Sequence, residues 1–188
     1  MDIKEYVLSL NHGNVKDKDK LKKVLVALIR ELKQTKYKTE LIKLSYILDY
    51  LYCKENREKI GPTTVEYIKY NYGPYSDSFI DAFGELIQEG VIVEGQLPYG
   101  VGYSLIKDTK QEIDEKTKKI LRIIIEKYGH KTLRELKEFI YQTDEFKDTE
   151  FGKPILLPVF LQCQEWDAED PDSILTLRAG AGRRHRPS

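Results

Sequence analysis

Residues 67–77 read Tyr67-Ile68-Lys69-Tyr70-Asn71-Tyr72-Gly73-Pro74-Tyr75-Ser76-Asp77, and the rest of the chain is organised around them. A tyrosine-rich run of alternating character ends at Gly73-Pro74, and an amphipathic pattern starts just after it. Pro74 has no backbone N–H to donate, and it biases Gly73 away from helical angles. Gly73 accepts almost any backbone angle. The pair therefore predicts a change of chain direction. Ser76 and Asp77 offer side-chain oxygens to cap the next helix. Nothing in the stretch has a catalytic pattern, so it is expected to position a surface rather than perform a reaction.

Upstream of it, two helices are expected. Over 19–34, Leu21, Val24, Leu25, Leu28 and Leu32 recur at helical spacing, with lysines opposite. The Lys16–Lys23 charge run reads as a solvated helix start. Over 39–55, with Thr39 as N-cap, Leu41, Leu44, Leu48 and Leu51 make one stripe. Ile42, Tyr46, Ile47, Tyr50 and Tyr52 widen it to nearly the whole circumference, as in a central helix. Asp49 interrupts this apolar surface and is expected to be a partly exposed carboxylate paired with Lys43 or Lys54, with a buried functional acid as the alternative. Val65 to Tyr70 alternates, which predicts a short edge strand.

Downstream, Phe79, Ile80, Phe83, Leu86 and Ile87 predict a third helix over 77–89, stopped by Gly90. Val91-Ile92-Val93 and Tyr103-Ser104-Leu105-Ile106 predict a hairpin joined by an eight-residue loop, Gly95 to Gly102. A fourth helix is expected over 114–128. Thr132-Leu133-Arg134-Glu135 is a capping box opening a fifth. The fold class is thus α+β and mostly helical: about five helices with a small antiparallel sheet, winged-helix-like in the middle. Residues 1–18 form an ambiguous N-terminal segment, 19–150 the domain, and 151–188 a C-terminal extension. Within it, Lys153 to Pro158 reads as an extended apolar arm.

Composition narrows the function. The 31 basic and 31 acidic residues cancel, so no global field draws the chain to nucleic acid or membrane. The N-terminus is too polar for a signal peptide, and no apolar run approaches a membrane span. A cytoplasmic location is expected. Cys53 and Cys163 have no metal or redox spacing and read as free thiols. His12, His130 and His185 fall on separate segments. No His-x-x-x-His pair, Gly-x-Ser-x-Gly elbow or phosphate loop occurs, so neither enzymatic activity, a metal nor a cofactor is expected. The last 11 residues hold Arg178, Arg183, Arg184 and Arg186 without a lysine, against four arginines in the preceding 177. That end is expected to be a disordered, appended or frame-shifted tail; an RNA-binding tail is the sharper alternative.

The tyrosines are the anomaly. Eight of the 13 fall between Tyr37 and Tyr75. Tyr70, Tyr72 and Tyr75 flank a turn, where exposed rings suit protein recognition, although they could equally staple the turn to the core. In a winged helix, the helix before the hairpin would enter the DNA major groove. Here that helix carries Asp77, Asp81, Glu85 and Glu89 and no cation. Phosphates would repel it. DNA binding through the lysine-rich first helix remains the alternative reading.

Lys43-Leu44-Ser45-Tyr46-Ile47-Leu48-Asp49-Tyr50-Leu51 resembles a signature helix of the Panacea, or SocA-like, domain family. The run from Tyr67 to Ser76 resembles that family's Tyr-Gly-Pro signature. Leu86-Ile87-Gln88-Glu89-Gly90-Val91-Ile92 is similar to the helix end and strand that come next in the family. Ile124 to Gly129 and Leu133 to Leu136 resemble its closing helix pair. The resemblance spans about 39–144. Thr143-Asp144-Glu145-Phe146 departs from the His-x-x-x-Pro-Trp-like close often seen in the family. The resemblance implies a prokaryotic or phage-related antitoxin that neutralises a cognate toxin by direct binding, in one case as an adaptor to a protease. The expected partner-binding residues are Lys69, Tyr70, Tyr72, Gly73, Pro74, Tyr75 and Ser76.

Overall fold

The computed structural model describes residues 14–109 and 112–158. His12, Cys163, His185, the arginine tail and residues 1–13 of the ambiguous N-terminal segment lie outside these residues.

Helix α1 (Lys18–Leu32) starts where Asp17 accepts a hydrogen bond from Lys20 N at 3.1 Å, and ends at left-handed Lys33. It buries Leu21, Val24, Leu25, Leu28 and Leu32, the stripe its spacing predicts. Strand β1 (Lys36–Tyr37) runs directly into helix α2 (Lys38–Asn56). The helix begins before Thr39, because Glu40 reaches back to accept from Tyr37 N at 2.9 Å and so satisfies an otherwise free donor. Every residue of α2 from Glu40 to Cys53 is buried. It is the central helix, with α1, α4 and α5 around it.

After α2 the chain forms a small hairpin, β2 (Ile68–Tyr70) and β3 (Gly73–Tyr75). The turn is Asn71-Tyr72, not Gly73-Pro74, since Tyr70 pairs with Gly73 and Lys69 with Pro74. Pro74 is tolerated because β3 has no second neighbour requiring its missing N–H. The alternation expected over 65–70 breaks: Tyr67 and Ile68 are both buried, and Val65 instead bridges Val15. Nor is the outer side of β2 open. Residues 152–155 lie along it, with Gly152 N donating to Lys69 O at 2.8 Å and Ile155 N to Tyr67 O at 2.7 Å. The expected extended arm is this segment.

Helix α3 (Ser78–Gln88) buries Phe79, Ala82, Phe83 and Leu86. Neither predicted cap serves it strongly. Asp77 makes no capping bond, because its carboxylate accepts from the Tyr75 hydroxyl, and Ser76 Oγ accepts from Ser78 N only at 3.4 Å. Strands β4 (Ile92–Leu97) and β5 (Gly100–Leu105) come next, joined by Pro98-Tyr99 alone. The glycines expected to form a long loop are paired within the ladder, Gly95 opposite Gly102. β1 pairs with β5, which gives the sheet order β1-β5-β4.

The result is an α+β, mostly helical fold in which helix, strand, two helices and a two-stranded wing succeed one another, β1 and the wing sharing one sheet, with β2-β3 inserted between α2 and α3. The strand completing the winged-helix-like sheet is β1, not Val65–Tyr70. Helix α4 (Glu115–Tyr128) is capped by Asp114, and α5 (Leu133–Gln142) by the Thr132–Glu135 box, the latter as the sequence predicts. A sixth, short helix, α6 (Asp144–Asp148), comes immediately after and buries Phe146. Five residues are too few for periodicity to reveal.

Candidate functional site

The site is built from α2 outward. Asp49 is fully buried in the middle of this helix. Its carboxylate accepts from Thr63 N at 3.0 Å, from the Tyr67 hydroxyl at 2.8 Å and from Thr63 Oγ1. It is therefore neither exposed nor paired with Lys43 or Lys54. Gly61 is required beside it: a Cβ there would stand 2.3 Å from Asp49 Cγ. Burial pushes the Asp49 carboxyl up to about 7, against the pull of its three donors. The Tyr67 hydroxyl is raised far above its usual range, first by burial and then by the neighbouring carboxylate. One acid thus ties the 61–67 connection, and with it the start of β2, to the central helix.

The hairpin is held at its tip as well. Tyr141 of α5 donates its hydroxyl to Asn71 O at 3.1 Å. Tyr141 stacks on Phe146 with ring centroids 4.8 Å apart, and Tyr70 sits between Tyr75 and Phe151 at 5.7 and 5.3 Å. Lys69 Nζ lies 4.9 Å from the Phe146 ring centroid and donates to Lys147 O at 3.2 Å. Tyr72, at the turn, is 73% exposed. Lys137 of α5 places its Nζ 5.6 Å from the Tyr72 ring and 5.4 Å from the Tyr141 ring.

Two open grooves flank Tyr141. One, of about 680 Å³, runs along α5 and is lined by Leu133, Arg134, Lys137, Glu138, Tyr141 and Gln142. The other, of about 440 Å³, lies between hairpin and α6 and is lined by Lys69, Tyr70, Asn71, Phe146, Lys147 and Phe151 on Tyr141's other side.

Of the residues expected to bind a partner, Tyr72 stands in solvent, while Lys69, Tyr70 and Tyr75 are half-buried. Gly73, Pro74 and Ser76 are buried and shape the backbone beneath. Sequence reasoning missed Lys137, Tyr141, Phe146 and Phe151. A usable signal existed for two of them: Lys137 and Tyr141 are four residues apart, on one face of α5.

The alternative, DNA-facing surface is differently placed. Lys18 pairs with Glu85 at 2.7 Å, and Lys22 pairs with Glu85 at 3.2 Å and Glu89 at 2.7 Å. Lys18 and Lys22 of α1 are thus neutralised by Glu85 of α3 and by Glu89 just beyond its end. Among the described residues, no three His, Cys, Asp or Glu side chains are grouped to hold a metal, and no helix is long and apolar enough to cross a membrane.

No curated protein and no solved structure matches the chain. Residues 41–147, more than half of it, match the family model described as antitoxin SocA-like, Panacea domain. That span holds Asp49, the hairpin, α5 and Phe146. The chain therefore belongs to the SocA-like, Panacea-domain antitoxin family.

Proposed function

We propose that this protein is an antitoxin that neutralises a partner toxin by direct binding, and that it docks through the β2-β3 hairpin and the adjoining face of α5. The observation that carries the reading is Tyr72. It is a large ring, 73% exposed, on a hairpin that is otherwise fixed, by Asp49 at its base and Tyr141 at its tip. A large ring held out on a rigid backbone loses little entropy when a partner covers it. The grooves on either side of Tyr141 offer apolar floor and cationic rim, the composition of a protein-binding patch. The role is one of binding rather than catalysis.

Co-expression with the product of the adjacent reading frame tests the proposal. Growth should be arrested by that product alone and restored by this chain. Rescue that persists in a host lacking its cytosolic proteases indicates masking of the toxin; rescue lost there indicates delivery to a protease. A chain that restores growth with neither Tyr72 nor the α5 face contributing would remove the proposed surface.

A further inference from the structure

In the small hairpin the chain guards its strand edges. Residues 152–155 cover the outer side of β2, and β3 carries Pro74. β4 is different. Among the described residues its one strand neighbour is β5, so Ile92–Leu97 runs along an open edge. The strand has no lysine or proline, and it pairs with β5 without a bulge. Of the devices that blunt an edge it has only the charge of Glu94. It also stands clear of the body, since Val93, Glu94, Gly95 and Gln96 are all exposed.

The ladder decides which backbone groups of β4 are free. Ile106 N donates to Val91 O at 2.9 Å, in the register that pairs Ile92 with Leu105. Hydrogen-bonded and non-bonded pairs alternate along an antiparallel ladder. Val91, Val93, Gly95 and Leu97 therefore point N–H and C=O toward β5, while Ile92, Glu94 and Gln96 point theirs outward. Such an edge is complementary to itself when a second copy is turned antiparallel.

The side chains select the register. Pairing centred on Gly95 sets Glu94 opposite Gln96 of the other copy, and Val93 opposite its Leu97. The two Glu94–Gln96 pairs bring outward groups together, so each exchanges two hydrogen bonds. Gln96 is uncharged, and its side-chain amide is held only by Leu97 O at 3.2 Å and Gly100 O at 3.4 Å, which leaves it able to turn to the facing carboxylate. Val93, 47% exposed, gains an apolar neighbour at the closely spaced, non-bonded position. Beyond Leu97 the ladder stops at Pro98, which has no N–H. Pairing centred on Glu94 instead would oppose two carboxylates directly, which is destabilising.

We infer that two copies of this chain associate through β4, edge to edge and antiparallel about Gly95, so that the sheet continues as β1-β5-β4-β4-β5-β1. The seam uses none of the residues proposed to bind a toxin and does not rest on that reading.

Sedimentation velocity of the full chain over a concentration series should show monomer passing into dimer. Gln96→Pro removes an N–H that β5 does not use, so the wing should fold while the dissociation constant of the dimer rises about thirtyfold, one hydrogen bond being lost from each copy. Gln96→Ala keeps that N–H and should raise it less. Amide exchange at Glu94 and Gln96 should slow as concentration rises, whereas Gly95, which faces Gly102 within the wing, should be protected throughout. A Cβ at Gly95 meets nothing within 4 Å. Gly95→Cys, made with Cys163→Ser so that buried Cys53 is the other thiol, should therefore oxidise to a covalent dimer across the axis. A chain that stays monomeric at every concentration overturns the inference, as does a dimer that Gln96→Pro leaves intact. Slowed exchange at Glu94 and Gln96 that appears only when a toxin is added to a monomer assigns the edge to that toxin, and likewise overturns it. If the dimer forms as described and growth is not restored, the seam stands and the antitoxin reading falls.

Discussion

The hydroxyl of Tyr67 donates to the carboxylate of Asp49 across 2.8 Å, with both side chains sealed from solvent. A residue at the base of the hairpin and one in the central helix are thereby one structural unit. The exposed tyrosine surface is only as well placed as this buried contact keeps it.

Replacing Asp49 by Ala leaves Thr63 N and the Tyr67 hydroxyl as buried donors without their acceptor. Each such group costs roughly 1–3 kcal/mol. Urea denaturation should show a clear fall in stability. Gly61→Ala should also destabilise, because its Cβ would overlap Asp49. Combined with Asp49→Ala, it should cost less than the sum of the two, since Cγ and Oδ1 are gone, although the clash with Cβ at 2.4 Å remains.

The same carboxyl makes stability depend on pH. Its folded value, about 7, lies above the unfolded one of about 3.9. The folded state therefore binds the extra proton, and the stability this provides is complete below about pH 4 and is lost as pH rises toward 7. The difference between wild type and Asp49→Asn should change over that window and be flat above it. Thermal unfolding at a series of pH values measures it; a constant difference would show that Asp49 does not titrate there.

These two predictions mark where the sequence stops being informative. The helices are legible because their apolar residues repeat at helical spacing over ten or more positions, and because Thr132 and Gly90 mark ends. Asp49 is not. Its neighbours Lys43 and Lys54 suggest a pairing, whereas its partners lie 14 and 18 residues away across a connection with no regular pattern. The turn is expected two residues late, because Gly73-Pro74 is a strong local signal that here opens a strand. Tyr72 can be found from its place beside that turn. Lys43 cannot, since a lysine within a helix looks exposed until the hairpin folds over it.

At Gly73 a side chain meets a backbone obstacle. The φ of +113° is one that residues with a Cβ rarely adopt, whereas the Lys43 side chain, 3.4 Å from where the Cβ would stand, is at ordinary contact distance. Such strain costs on the order of 1–3 kcal/mol. Gly73→Ala should lower the melting temperature and weaken partner binding beyond what the stability loss explains.

The ion pairs of Lys18 and Lys22 with Glu85 and Glu89 leave these lysines little to offer a phosphate backbone. In a gel-shift with duplex DNA, binding should be weak and lack a steep inverse dependence on salt. A steep dependence abolished by Lys18→Ala and Lys22→Ala would restore the DNA-binding alternative.

The most direct measurement compares wild type with Tyr72→Ala by calorimetric titration against the toxin that the co-expression experiment identifies, with the unfolding midpoint of each protein recorded. Tyr72 is 73% exposed, so its truncation should change stability by no more than about 0.5 kcal/mol. If the hairpin is the docking surface, affinity should fall by about 2 kcal/mol or more, roughly thirtyfold, the loss expected of a central aromatic anchor. Equal affinity for both proteins, each fully folded, would contradict it.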